Sequence, residues 1–155
     1  MSSADQAVES ALAFGDAALK GQTLAGRAEV RSVAGDYKLA IAEAERALAL
    51  HRELGDPVRE SEDLRILAVA LAGDGRLDDA EAMLRDVMRQ AAEQSRQVLV
   101  ATAQRDLAHL LDRTGRMREA DEVAREAMEA FEKLGASVQV EKLKVFLERA
   151  SGPRS

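Results

Sequence analysis

His51 and His109 are the only imidazoles in the 155-residue chain. Acid–base chemistry would start with them, because histidine changes charge near neutral pH without any perturbation. Neither sits in a spacing that completes a nucleophile–base or metal-ligand set. The chain has no Cys, which removes thiolate nucleophiles, zinc–thiolate sites and disulfides. Carboxylates are plentiful, but Asp78-Asp79 and Asp121-Glu122 fall at expected helix starts, where the helix dipole favours negative charge. They read as solvated faces. The glycines are spread one per turn and never cluster ahead of a helix, so no phosphate-cradling loop is expected. The sequence therefore predicts no catalytic residues, no metal and no cofactor.

A cationic series is more regular. Arg65 and Arg105 are separated by forty residues, and His109 and Arg113 follow Arg105 at successive four-residue steps. Val69 precedes His109 by forty, while Val145 and Arg149 follow Arg105 and His109 by the same interval. Four-residue steps place side chains on one helix face. Leu107 and Leu111 mark the opposite, core-facing stripe. The candidate partner-binding set is thus Arg65, Val69, Arg105, His109, Arg113, Val145 and Arg149, a basic face in an acidic chain. Its competitor is a row of ordinary solvated charges balanced by nearby Glu and Asp.

The elements that position this series are set by the stretch Leu64 to Val87. Leu64, Leu67, Ala68 and Leu71 form an apolar stripe at helical spacing, Gly75 breaks it, and Leu77, Ala80, Leu84 and Val87 begin another. The same turn recurs at Gly35 and Gly115, with Ala40, Ala80 and Ala120 each five residues later. Gly55, Asp56 and Pro57 supply, in order, a left-handed helix stop, an N-cap and a first-turn proline. Ser95 is expected to cap the helix that follows Gln94. Repeat positions held by Leu67 and Leu71 carry Arg27 and Arg31, so the helical pattern from Asp16 to about Val33 is weaker, repeat one reads as degenerate, and both arginines are expected to be partly exposed. These arginines read either as a tolerant terminal unit or as ligand contacts. His51 matches Phe131, Ala91 and Ala11 and reads as a packed or half-buried imidazole.

The spacing in Leu64 to Val87 resembles the tetratricopeptide repeat, with aliphatics where that family has aromatics. The forty-residue period resembles its longer variety, found in bacterial signal-responsive regulators and in eukaryotic adaptors. The resemblance implies an all-α solenoid of about eight antiparallel helices in a single domain. A half repeat would occupy 3–15, full repeats about 16–55, 56–95 and 96–135, and a capping helix 137–150. Asp5, Glu9 and Ser10 would give the amino-terminal half repeat a polar outer face. Val140, Leu143 and Leu147 would point to the core, and Ser151-Gly152-Pro153 would end the last helix. Val145 and Phe146 lie off that stripe, against a neighbouring helix or on a self-association surface. First helices would line a concave groove; the absence of Asn departs from members that clamp an extended peptide backbone.

Composition narrows the partners. Hydrophobic residues make up 46% of the chain and aromatics only 3%, as suits closely packed Ala- and Leu-rich helices. A net charge of -6 argues against nucleic acid or an anionic membrane as partner. No secretory signal or membrane-length apolar run is visible, which makes a cytoplasmic location the default. The expected function is a non-enzymatic module that binds a protein or peptide, an acidic segment fitting the basic groove. The alternative is a peptide- or ligand-responsive sensor unit of a bacterial transcription or signalling system.

Overall fold

A computed structural model describes residues 2–14 and 16–149, with the backbone alone for 10–14. The described residues form eight α-helices and no strand: α1 (Ser3–Phe14), α2 (Ala17–Val33), α3 (Tyr37–Glu53), α4 (Pro57–Gly73), α5 (Leu77–Glu93), α6 (Gln97–Arg113), α7 (Met117–Lys133) and α8 (Ser137–Glu148). The expected helix end at Ser151-Gly152-Pro153, like Gly15 and the polar contribution of Ser10, lies outside what is described. Among the described residues no helix is long and apolar enough to cross a membrane.

The turns repeat in backbone detail. Gly35, Gly75 and Gly115 take φ of 84°, 87° and 82°. In that left-handed conformation the next amide reaches back over the helix end. Asp36 N–H donates to the Arg31 carbonyl at 2.8 Å, Arg76 to Leu71 at 2.9 Å and Arg116 to Leu111 at 3.0 Å. These bonds satisfy carbonyls that a helix end otherwise leaves open. Asp56 caps α4 as expected, accepting from Arg59 N–H at 3.1 Å, and Asp16 caps α2 through Leu19 N–H at 2.9 Å. Ser95 departs from expectation. It adopts φ of 58° and fills the place glycine holds elsewhere, while Arg96, whose side chain makes no capping bond, is the N-cap of α6.

Met1–Met83 and Leu84–Ser155 form two compact units, and the division falls within α5. In the first unit α1 packs on α2, and α2, α3 and α4 pack on one another. Ala28, Ala40, Ala44 and Ala47 are buried, which lets helices approach closely, and Val8, Leu24 and Ala47 form an apolar cluster flanked by Ala25 and Leu50. In the second unit α7 packs against both α6 and α8, burying Leu107, Leu111, Ala120, Ala127, Phe131, Val140 and Leu143. Phe146 is buried and Leu147 only half-buried, so the inner face of α8 turns further toward Phe146 than the Val140–Leu143–Leu147 stripe predicts.

Arg27 and Arg31 correct the picture of a degenerate helix. α2 is helical throughout, and its arginines close on a buried acid: Glu43 Oε1 lies 2.8 Å from Arg27 Nη2 and 2.8 Å from Arg31 Nε, with Glu43 only 4% exposed. Asp5 does not serve as an outward polar cap. Its carboxylate turns inward to Arg27 and, at 3.3 Å, to Arg31. The helix therefore survives losing two core leucines because a charge cluster replaces them.

The packing sets the response to substitution. Leu107→Ala removes an enclosed side chain and is expected to cost about 2–5 kcal/mol. Ala80→Leu forces bulk into a fully buried position and is expected to cost about 1–3 kcal/mol. Urea denaturation followed by circular dichroism checks both; midpoints equal to wild type would refute the core assignment.

Candidate functional site

In the second unit, α6 and α8 are joined by side chains along one face. Arg105 Nη1 donates to Gln139 Oε1 at 3.0 Å, and Nη2 to Asp106 Oδ1 at 3.0 Å. Four residues on, the His109 ring meets Phe146 edge-on, with centroids 4.7 Å apart and an interplanar angle of 73°. Arg149 lies over the Phe146 ring, its guanidinium carbon 3.5 Å from the centroid. Its Nη2 donates to Asp112 at 2.8 Å, its Nη1 to Asp121 at 3.0 Å and to the Phe146 carbonyl. Arg149 thus ties the end of α8 to α6 and α7. Asp121 lies beyond the first turn of α7 and is engaged in this tie, unlike the solvated helix-start acid that the sequence suggested.

The electrostatics follow from these contacts. The Arg149 bond holds the Asp112 carboxyl below its ordinary range, and Asp112 in turn raises Arg149. Desolvation pushes the His109 pKa down; Arg105 and Arg149 reinforce the shift while Asp106 and Asp112 oppose it. At neutral pH His109 accordingly presents a neutral ring, so the face is less basic than a count of its residues implies. Arg113 is exposed at its far end.

Apolar groups complete the face. Val98, Val138 and Val145 are 60%, 64% and 68% exposed. Val98 lies seven residues before Arg105 and Val138 seven before Val145, two helical turns along the same stripes. Val145 was singled out from the sequence; Val98 and Val138 were not. Their signal was available, since Val58, Val98 and Val138 recur at forty-residue spacing in the second position of a helix. A separate cleft of about 580 Å³, lined by Val100, Gln104, Glu126 and Lys133 among others, opens elsewhere in this unit and contains none of these residues.

The first unit holds the other two candidates. Arg65 lies 3.8 Å from Glu29, and Val69 is half-buried on the same helix. Its histidine is packed, the more enclosed of the two states that its repeat position suggested. His51 and Asp63 are each 1% exposed, and Nδ1 of the ring hydrogen-bonds the Asp63 carboxylate. The Nε2 edge has no hydrogen-bond partner and rests on Gly21, where an added Cβ would lie 2.6 Å away. Gly21 is therefore a close-approach residue. Enclosure on both sides gives His51 a packing role, since no substrate can reach it. Burial drives the Asp63 pKa up to about 6 against the pull of His51. Among the described residues no group of three or more His, Cys, Asp or Glu is placed to hold a metal ion.

Residues 61–133 match the family model described as "Tetratricopeptide repeat", so the chain carries tetratricopeptide repeats there. Two solved structures show the same fold. The crystal structure of BtubC (BKLC) from P. vanneervenii superposes with a TM-score of 0.79 at 24% identity, covering 97% of this chain and 65% of that one. A Rap protein complexed with Competence and Sporulation Factor superposes with a TM-score of 0.73 at 17% identity, covering 88% and 44%. The chain thus spans less than two thirds of either protein. No curated protein gives a significant sequence match.

The buried pair makes a pH prediction. Asp63 titrates higher in the fold than its ordinary value of 3.8. Its contribution to stability is therefore fully present below about pH 4 and is lost as the pH rises through about 6. The Asp112–Arg149 bond has the opposite sign and is lost only below the ordinary carboxylate value. Urea midpoints compared at about pH 4.5 and pH 7 should show a loss toward pH 7 that Asp63→Asn reduces. An unchanged difference in the variant would contradict the assignment.

Proposed function

We propose that the chain is a non-enzymatic protein- or peptide-binding module, and that the α6–α8 face of its second unit receives an acidic segment of its partner. The tetratricopeptide repeat is an interaction scaffold, and this supports the general reading. The observation that carries the specific one is the exposure of Val98, Val138 and Val145 on α6 and α8, the helices that the Arg105–Gln139 bond joins. An extended segment could bury apolar side chains on the valines and set a carboxylate against Arg105. Arg113 would extend the cationic end. His109 and Arg149 would act mainly by holding the face together, the first by its ring contact and the second through Asp112 and Asp121. Arg65 and Val69 would offer a matching but separate contact on α4. Each exposed ionic contact is weak and screened by salt, so the valines must supply much of the affinity.

A second reading is a peptide-responsive sensor unit. One observation favours it: the Rap protein of similar fold was solved with Competence and Sporulation Factor bound. Both readings require a partner on this scaffold; they differ in whether its binding changes another activity.

Arg105→Glu is expected to weaken the partner captured from native lysate by about 3- to 10-fold while leaving the urea midpoint near wild type. Val145→Asp should do the same with less salt dependence, and Arg65→Glu reports whether α4 takes part. Arg85→Glu, on α5, is the control. Affinity measured by titration calorimetry that ignores Arg105 and Val145 but collapses on Arg85→Glu would remove the face from consideration.

A further inference from the structure

The amino-terminal helix sits in a seat of unusual chemistry. α1 occupies the place of a second helix that precedes α2, yet among its described side chains only Val8 is buried. Val8 enters the cluster of Leu24 and Ala47, beside Ala25 and Leu50. Three residues earlier, Asp5 bonds Arg27 and Arg31. These two anchors are a carboxylate and an aliphatic group one turn apart. The seat itself is built without α1: Glu43 holds both arginines from α3, and Arg27 is raised in pKa chiefly by that bond. It is also incompletely satisfied, because Arg27 Nε and Glu43 Oε2 are buried without hydrogen-bond partners. A twelve-residue helix is marginal by itself and depends on what it packs against.

We propose that α1 is a displaceable self-ligand, covering a docking site on α2 and α3 for an amphipathic partner helix with a carboxylate three residues before an aliphatic side chain. Charge complementarity selects this occupant. Arg27 and Arg31 share the single carboxylate of Glu43, with Asp36 3.7 Å from Arg31 at the edge, so a further anion is favoured against Arg27, and the Leu24–Ala47 patch beside it favours a small apolar group. In the free chain Asp5 and Val8 supply both groups from within. The site is independent of the α6–α8 face, so neither proposal needs the other.

The test uses the full chain and a fluorescein-labelled peptide of residues 2–14 as probe. In the wild-type chain the internal helix competes, and the apparent affinity falls by the fraction of molecules with the seat open. Asp5→Arg in the chain sets a cation against Arg27 and Arg31 and should open the seat. The wild-type peptide should then bind at least about ten-fold tighter than to the wild-type chain, by anisotropy, and more weakly as salt rises. The Asp5→Arg peptide should not bind. Equal binding of the wild-type peptide to both chains, or binding of the reversed-charge peptide, would overturn the proposal. So would loss of the helical signal of the whole Asp5→Arg chain, since α1 would then be part of the folding core. A further measurement needs no variant: amides of residues 5–9 should exchange at least about ten-fold faster than those of α3 in the wild-type chain. Exchange at a common rate through global unfolding would equally refute displacement.

Discussion

A left-handed residue every twenty positions is the constraint on which the rest of this structure depends. Gly35, Gly55, Gly75, Gly115 and Gly135 all take positive φ, and Ser95 completes the series. Every helix from α2 to α7 is 17 residues long. Fixed length and identical stops keep the apolar and polar positions of each helix in the same order from its first residue to its last. A residue type recurring at forty therefore occupies the same face of its helix each time. On α6 this sets Val98 and Arg105 seven residues apart on one stripe, and a one-residue insertion between them would part them by about 100°.

Within that scaffold the interior of a helix pair is filled in two ways. The second unit uses Leu107, Leu111 and Val123, all buried. At the equivalent positions the first unit uses Arg27, Arg31 and Glu43. Taking three ionisable groups out of water is costly, and attraction between them offsets that cost only with close geometry and more than one bond per charge. Glu43 meets the condition with two arginines at 2.8 Å each, and Asp5 takes up part of the remaining positive charge. An apolar contact tolerates sliding. A triad of this kind fixes the register of α2 on α3 but surrenders much of its strength to salt wherever water reaches it.

The regular features were legible in the sequence because they are local. Gly75 with the stripes on either side of it gives the hairpin, and the Gly55-Asp56-Pro57 junction gives stop, cap and start. What escaped was the meeting of side chains from different helices. Nothing in the spacing of His51 and Asp63 announces that α3 and α4 bring them together, nor that Gly21 on α2 clears room for the ring. Arg27 could be read as polar but not as the partner of Glu43, since that needs the azimuth of both helices. Likewise Arg149 and Asp121, twenty-eight residues apart, each resembled a surface charge until α8 was seated on α7. Ser95 escaped for another reason: serine is a good cap, and the ordinary preference concealed a backbone role that glycine usually fills.

That serine has an energetic consequence for its turn. A side chain in the left-handed region carries a penalty of roughly 1–2 kcal/mol that glycine does not. The α5–α6 turn therefore holds a small reserve of strain, with no side-chain cap on the α6 terminus to offset it. In a molecule otherwise punctuated alike, one comma is weaker than the rest. The strain is local to that turn, so glycine at position 95 would relieve it without touching either helix.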